Sequence, residues 1–226
     1  MELQMESKTS EANIRVLIVD DHPFMRRGLA QTINDLTEMS VCGEASSRTE
    51  GLERVAELNP DLVVVDISLG DGSGIELIKE IKSRWPDIKM LVSSMHDESL
   101  FAERAIRAGA LGFVNKGESS EVFVDALRKV KDGKIFLSPR MTDYVLNQFA
   151  SSNDEPNKSR IDSLSDRELE VFELIGRGMI TKQIASKLEL SPKTVETYRE
   201  HIKMKLNLNN GTELTRHAVQ WVLEQG

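Results

Sequence analysis

Apolar residues in the first half of the chain come in short, unbroken runs. Val16-Leu17-Ile18-Val19 and Leu62-Val63-Val64-Val65 have no polar residue at alternate positions, so neither run suits a strand with one wet face. The pattern predicts strands at 15–19, 41–44, 62–65, 90–93 and 112–114. Between them the spacing is helical. Two of these helices open on a serine with a glutamate three residues later, Ser47 with Glu50 and Ser73 with Glu76, which is the pattern of a capping box. Strand and helix alternating in this order predict a parallel sheet with helices on both faces. The expected first domain is α/β, doubly wound, with five parallel strands.

A last core helix near 118–131 is followed by Asp132-Gly133-Lys134, a turn. Ser138-Pro139 then predicts an N-cap and a proline at the first position of a helix over about 139–150. Residues 151–159 are polar and carry a proline, as a linker does. From 161 onward the pattern is helical throughout. Ser165-Asp166-Arg167-Glu168 forms a capping box ahead of Leu169, Val171, Phe172, Leu174 and Ile175, and Gly176 and Gly178 punctuate its end. Thr181 opens a short helix with Ile184, Ala185 and Leu188. Ser191-Pro192 opens a third, with Val195, Ile202 and Leu206 inward and Tyr198 partly so. A fourth spans 212–223, where Leu214, Val219, Trp221 and Val222 serve equally as core or as a dimer surface. The expected division is a disordered N-terminal extension at 1–13, a first domain at 14–133, a linker with its helix at 134–160, and a small all-α domain at 161–226.

Composition narrows the classes. The net charge is −8, which taken whole speaks against nucleic acid. Between 177 and 205, however, seven basic residues face three acids, leaving +4. A local basic face can act independently, because charges are screened over about 8 Å at physiological salt. Aromatic residues make up only 5%, which argues against a stacking platform for single strands. Cys42 is the only cysteine, so neither an intramolecular disulfide nor a thiolate zinc cluster can form. No apolar stretch approaches the roughly 18 residues of a membrane span, and the start lacks the order of a signal peptide. A reduced cytoplasmic compartment is expected.

The candidate chemistry lies where strands end. Asp20-Asp21 follows the first run and Asp66 follows the third. In an open α/β sheet, ligands bind beyond the carboxyl ends of the strands. Three carboxylates gathered there repel one another unless a cation sits among them, so the pattern suggests a divalent metal. Ser94 and Lys116 follow the fourth and fifth strands, at spacings of 28 and then 22 residues.

With these residues in place, 14–131 resembles the flavodoxin-like receiver domain of two-component response regulators. The resemblance implies that Asp66 accepts a phosphoryl group from a partner histidine kinase. It also implies that Asp20, Asp21, Asp66 and the backbone carbonyl of Ser68 hold Mg²⁺, an oxygen-seeking ion with a metal–oxygen distance of about 2.1 Å. Lys116 and Ser94 would contact the phosphoryl oxygens, and Phe113, three residues before the lysine, is the candidate aromatic switch. Any phosphotransfer then ends on the protein itself, so the chain is not expected to be an enzyme beyond self-phosphorylation and self-dephosphorylation of Asp66. Gly70 and Gly117 stand where the family usually has proline, and this departure suggests looser loops. His96, two residues past Ser94, is expected as a solvent-facing loop residue.

Residues 163–223 resemble the LuxR-type helix-turn-helix of NarL/FixJ regulators. This rests on Leu164 to Glu168, Val171, Gly178, Lys182-Gln183-Ile184-Ala185, Leu188, Leu190-Ser191, Thr194-Val195-Glu196, Ile202, Lys205-Leu206 and Glu213-Leu214. The resemblance implies that the helix after Ser191 enters the major groove of double-stranded DNA. Lys182, Lys193, Lys203 and Lys205 are phosphate candidates. Glu196, Thr197 and Arg199 are base-edge candidates, and Thr194 lies among the outward residues near the helix start. The expected protein is a transcriptional response regulator, homodimeric when active and with no membrane contact. Two rivals are a regulator whose receiver no longer needs phosphate, and a module whose helix-turn-helix grips another protein.

Overall fold

The computed structural model describes residues 13–96, 98–139, 141–143 and 160–225. The expected extension at 1–13, apart from its last residue, and most of the expected linker lie outside them. The first domain runs β1 (Ile14–Val19), α1 (Pro23–Asn34), β2 (Met39–Ala45), α2 (Arg48–Leu58), β3 (Leu62–Val65), a short hairpin of β4 (Ser68–Leu69) and β5 (Gly72–Ser73), and α3 (Gly74–Arg84). It continues with β6 (Lys89–Ser94), α4 (Glu98–Ala108), β7 (Gly112–Asn115) and α5 (Ser120–Lys131).

The main sheet is parallel, ordered β2-β1-β3-β6-β7. Alternate residues of each strand serve opposite faces, which explains why every position must be apolar. Val16, Ile18, Leu62, Val64 and Leu91 pack on one face with Leu29 and Ile33 of α1 and Phe123, Leu127 and Val130 of α5. Leu17, Val19, Val63, Val65 and Val92 pack on the other with Val55 of α2, Ile78 of α3 and Phe101 of α4. Strand order reverses between β1 and β3, and a crevice opens at that point beyond the strand ends.

The capping predictions hold in part. Ser47 caps α2 by accepting from the Glu50 amide, but the Glu50 carboxylate accepts from Ser46 rather than from Ser47. Ser73 caps α3 through the Ile75 amide instead of the Glu76 amide. The β4–β5 hairpin feeding this helix sets a tighter entry than the four-residue pattern assumes. At 139, a helical turn begins where expected, with Ser138 Oγ accepting from the Met141 amide.

The second domain comprises a 3₁₀ turn (Arg160–Ser163), α6 (Asp166–Gly176), α7 (Thr181–Lys187), α8 (Pro192–Leu206) and α9 (Gly211–Gln225). The Ser165–Glu168 capping box forms in both directions, and Ser191 caps α8 through the Thr194 amide. α6 and α9 cross closely because Gly176 has no side chain: a Cβ there would lie 2.5 Å from the Ala218 carbonyl oxygen. On α9, Leu214 is buried and Trp221 stacks obliquely on Phe172 at 5.3 Å, so both are core. Val219 and Leu223 remain exposed. No helix among the described residues is long and apolar enough to cross a membrane.

Candidate functional site

Register decides which acids meet. Val19 of β1 pairs with Val65 of β3, so Asp20 and Asp66 follow directly on neighbouring strands and emerge side by side. Both are buried, as is the side chain of Lys116. Lys116 leaves the end of β7 and places Nζ 2.5 Å from Asp66 Oδ2 and 2.7 Å from Asp20 Oδ2. The Lys116 amide is fixed by donating to the Ser94 carbonyl at 2.8 Å. Burial pushes the Asp66 carboxyl up, with Lys116 pulling it back and Asp20 raising it further. Burial alone would lower the Lys116 ammonium, but Asp66 and Asp20 outweigh it and hold the group above its ordinary value. Burial also raises Asp21, against the opposing pull of His22.

The donor set fits a hard divalent cation. Asp20, Asp21, His22 and Asp66 each bring one ligand atom to within 4.8 Å of the others. Two carboxylate oxygens remain short of donors. Asp20 Oδ2 lies beside Lys116, and Asp21 Oδ1 lies 2.6 Å from His22 Nδ1, yet neither oxygen receives an aligned hydrogen bond. Carboxylate oxygens with unmet lone pairs at the mouth of a crevice are what Mg²⁺ takes. Among the described residues, His22 brings the one candidate nitrogen ligand to this group; sequence reasoning passed over it, although it adjoins the acidic pair.

Ser94 and Phe113 are both fully enclosed, Ser94 at the end of β6 and Phe113 within β7. Gly74 is a residue the sequence reading missed. A Cβ there would sit 1.9 Å from the Asp66 carbonyl oxygen, so only glycine lets α3 start against the Asp66 backbone. Its amide donates to the Ile67 carbonyl at 2.7 Å. At the departure Gly117, the backbone N–H that proline would lack donates to Asn115 Oδ1 at 2.8 Å.

In the second domain, Lys193, Glu196 and Thr197 are exposed on α8, and Lys182 is exposed on α7. Val195 and Ile202 are buried beneath them. The remaining candidates are partly committed within the domain. The Thr194 hydroxyl pairs with Ser191, Arg199 lies 3.6 Å from Glu196, Lys203 bonds Glu200 at 2.9 Å, and Lys205 bonds Glu168 at 2.6 Å. The Lys205 contact pins the α6 capping box, an anchoring role that competes with a phosphate contact.

Known proteins match this layout in both halves. The model of the response regulator receiver domain matches residues 16–128, and that of the LuxR family of bacterial regulatory proteins matches 162–218. The chain belongs to the response regulators. It is 34% identical over 211 residues to the oxygen regulatory protein NreC of Staphylococcus carnosus, covering 92% of this chain and 97% of NreC. It is 35% identical over 209 residues to the response regulator GacA of Pseudomonas aeruginosa, covering 92% and 96%. Among solved structures, RcsB of Salmonella enterica serovar Typhimurium, bound to promoter rprA with the phosphomimetic BeF₃⁻, superposes with a TM-score of 0.59 at 25% identity, covering 92% of this chain and 98% of RcsB. The first domain is thus a receiver and the second a LuxR-type DNA-binding output domain.

One expectation about this response regulator is overturned. His96 is not solvent-facing; it is 8% exposed, with its ring 4.7 Å from that of Phe101. It is covered because α6 of the output domain packs over it. His96 Nε2 lies 2.9 Å from Glu170 Oε1, and Nδ1 lies 3.2 Å from Glu173 Oε2. Burial would lower the imidazole, but the two carboxylates raise it to about 9, so the ring is charged at neutral pH. Burial would raise Glu170; His96 and Arg167 instead bring it down to about 2. Every residue of α6 from Glu168 to Ile175 is buried, polar and apolar alike, because the helix is sandwiched between its own core and the receiver. No spacing rule could have found this pairing, since His96 and its partners are 74 and 77 residues apart.

Proposed function

We propose that Asp66 is the phosphoryl acceptor of this response regulator and that a partner histidine kinase is the donor. The observation that carries the reading is the placement of Lys116 Nζ, within 2.7 Å of both Asp66 and Asp20 at the sheet's topological switch point. An Asp66 carboxylate oxygen bonds to phosphorus while the phosphorus–nitrogen bond of a phosphohistidine breaks, and the electron pair returns to the imidazole. Asp20, Asp21, Asp66 and the Ser68 carbonyl are the residues to hold Mg²⁺, which when bound neutralises charge on the phosphoryl oxygens. Lys116 supplies a fixed cation to the same oxygens, and Ser94 donates its hydroxyl. The product is an acyl phosphate, carrying about 1.5 to 2 negative charges.

The output side of the proposal is that α8 lies in the major groove of double-stranded DNA. Lys182 and Lys193 contact phosphates, and Glu196, Thr197 and Arg199 face base edges. Val219 and Leu223 on α9 offer an apolar surface for a second copy of the chain in the active homodimer. A reduced cytoplasmic setting suits the single thiol.

The acceptor assignment is tested by intact-mass measurement after incubation with Mg²⁺ and acetyl phosphate. The wild-type chain should gain one phosphoryl group and Asp66→Asn none; equal gain in both would remove Asp66 from the role.

A further inference from the structure

We propose that Asp71 is a positioning residue for the acceptor site: its carboxylate, seated on the N-terminus of α2, fixes the β4–β5 turn and with it the Ser68 carbonyl offered to the metal. The inference rests on Asp66 being the acceptor and Ser68 a metal ligand. Gly70 stands where the family usually has proline, which by itself predicts a loose turn. Asp71 supplies from outside the turn the stiffness that proline would supply from within.

The hairpin cannot hold its own shape. It pairs Ser68 with Ser73 and Leu69 with Gly72, and so short a ribbon is not stable alone. Asp71, at its tip, reaches across to α2. Its Oδ1 accepts from the Arg48 amide at 2.6 Å and its Oδ2 from the Thr49 amide at 2.9 Å. These are the first two amides of the helix, which no carbonyl within it can serve. Ser47 Oγ takes the next, from Glu50, so the two side chains share the helix end. Burial would raise the Asp71 carboxyl, but the amides of Thr49 and Arg48 hold it below its ordinary value. The carboxylate is therefore charged at neutral pH, as the positive end of a helix favours.

Arg48 adds a second hold. Its stem lies against Gly72, where a Cβ would come within 2.9 Å of Arg48 Cδ, and its guanidinium bonds Glu80 of α3 at 2.7 Å. The start of α2 thus touches both the tip of the hairpin and its exit. Arg167 of the output domain donates to the Leu69 and Gly72 carbonyls, so it grips the strands and not the tip. Gly70 and Asp71 both keep φ out of the positive range, which makes the turn type I, and its first central position favours proline. A Cβ at Gly70 would meet Glu189 Oε2 at an ordinary 3.4 Å, so the position admits a side chain. Rigidity here serves the metal. A carbonyl already aimed at the ion need not be ordered when the ion binds, and residues behind the ligands supply that aim.

The test uses the full chain as wild type, Asp71→Ala, Asp71→Asn, Gly70→Pro and the pair Asp71→Ala with Gly70→Pro. Mg²⁺ alone is titrated by calorimetry, and phosphorylation by acetyl phosphate is timed at low and at saturating Mg²⁺. Asp71→Ala should weaken Mg²⁺ about tenfold, in the range that residues behind metal ligands contribute. Its phosphorylation should slow at low Mg²⁺ and recover at saturation. Asp71→Asn should lie nearer wild type, because asparagine caps a helix about as well as aspartate. Gly70→Pro should change little alone and should restore Mg²⁺ affinity in the pair. Wild-type affinity in Asp71→Ala would overturn the proposal. So would an Asp71→Asn as weak as Asp71→Ala, since charge and not the cap would then be at work, and so would a pair that gains nothing from proline. If Asp71→Ala proves unstable, the pair carries the test: wild-type affinity in it supports the clamp, and weak affinity in a folded pair defeats it. Phosphoryl uptake that survives Asp66→Asn defeats the acceptor assignment, whereas the Mg²⁺ series bears on Asp71.

Discussion

The acid pocket of the receiver and the exposed face of α8 are both polar sites, yet they are built on opposite principles. The pocket crowds Asp20, Asp66 and Lys116 away from water, where each group's state depends on its neighbours. The α8 face keeps Lys193, Glu196 and Thr197 in water, tied only to near neighbours: Glu196 accepts from the Thr181 hydroxyl and lies 3.6 Å from Arg199, and the Thr197 hydroxyl donates to the Lys193 carbonyl. A buried site is specified by strand register and backbone approach, and removing one member disturbs all. An exposed site is specified by helix phase, and removing one member subtracts one contact. The predictions that follow break or sharpen this contrast, from the largest effect to the smallest.

Gly74→Ala should do the most damage. Its Cβ meets Asp66 backbone, which cannot swing away as a side chain can. Overpacking typically costs 1–3 kcal/mol and occasionally more, so a loss of about 3 kcal/mol in urea unfolding is expected, together with loss of phosphorylation. A neutral result would show that the acceptor turn tolerates movement and would erase the contrast. Lys116→Ala comes next. It leaves Asp20 and Asp66 buried without their cation, a change worth about 3–5 kcal/mol when both stay charged and less when one takes up a proton. Stability at pH 7 should fall and phosphorylation should vanish; full activity in this variant would refute the bridging role of the lysine.

Lys193→Ala should be milder and uniform. Binding to specific and random duplexes should weaken alike, with the salt slope lowered by about one unit. A sequence-dependent loss would move Lys193 from phosphate to base contact. The smallest effect concerns pH. Hydrogen bonds from Lys205 and the Ser165 amide hold the Glu168 carboxyl below its ordinary range despite burial. The stabilisation is present above the ordinary carboxylate value and is lost as pH falls through the lowered one. The acid side of the output domain's unfolding profile, followed by Trp221 emission, should therefore flatten in Lys205→Ala; an identical profile would leave Lys205 free for DNA.

The sequence disclosed what local rules govern. Buried parallel strands must be apolar on both faces, so the runs ending at Val19 and Val65 announced the sheet and located its chemistry. Ser165, Ser191 and their partners announced α6 and α8. What depends on tertiary approach stayed hidden. Gly74 looks like any glycine after a serine until the Asp66 carbonyl is placed against it. His96 reads as a loop histidine until α6 covers it, and nothing in the sequence marks Glu170 and Glu173 as its partners. The shift of the Glu50 carboxylate to Ser46 shows that a capping pattern marks where a helix starts more surely than which bonds it makes.

The central claim is that the buried carboxylate beside Lys116 receives the phosphoryl group, and chemical trapping tests it most directly. Borohydride reduction of the phosphorylated chain converts an acyl phosphate to an alcohol, and peptide mass mapping then locates the altered residue. The account predicts homoserine at position 66 and nowhere else. Reduction at any other aspartate, with position 66 intact, would contradict it.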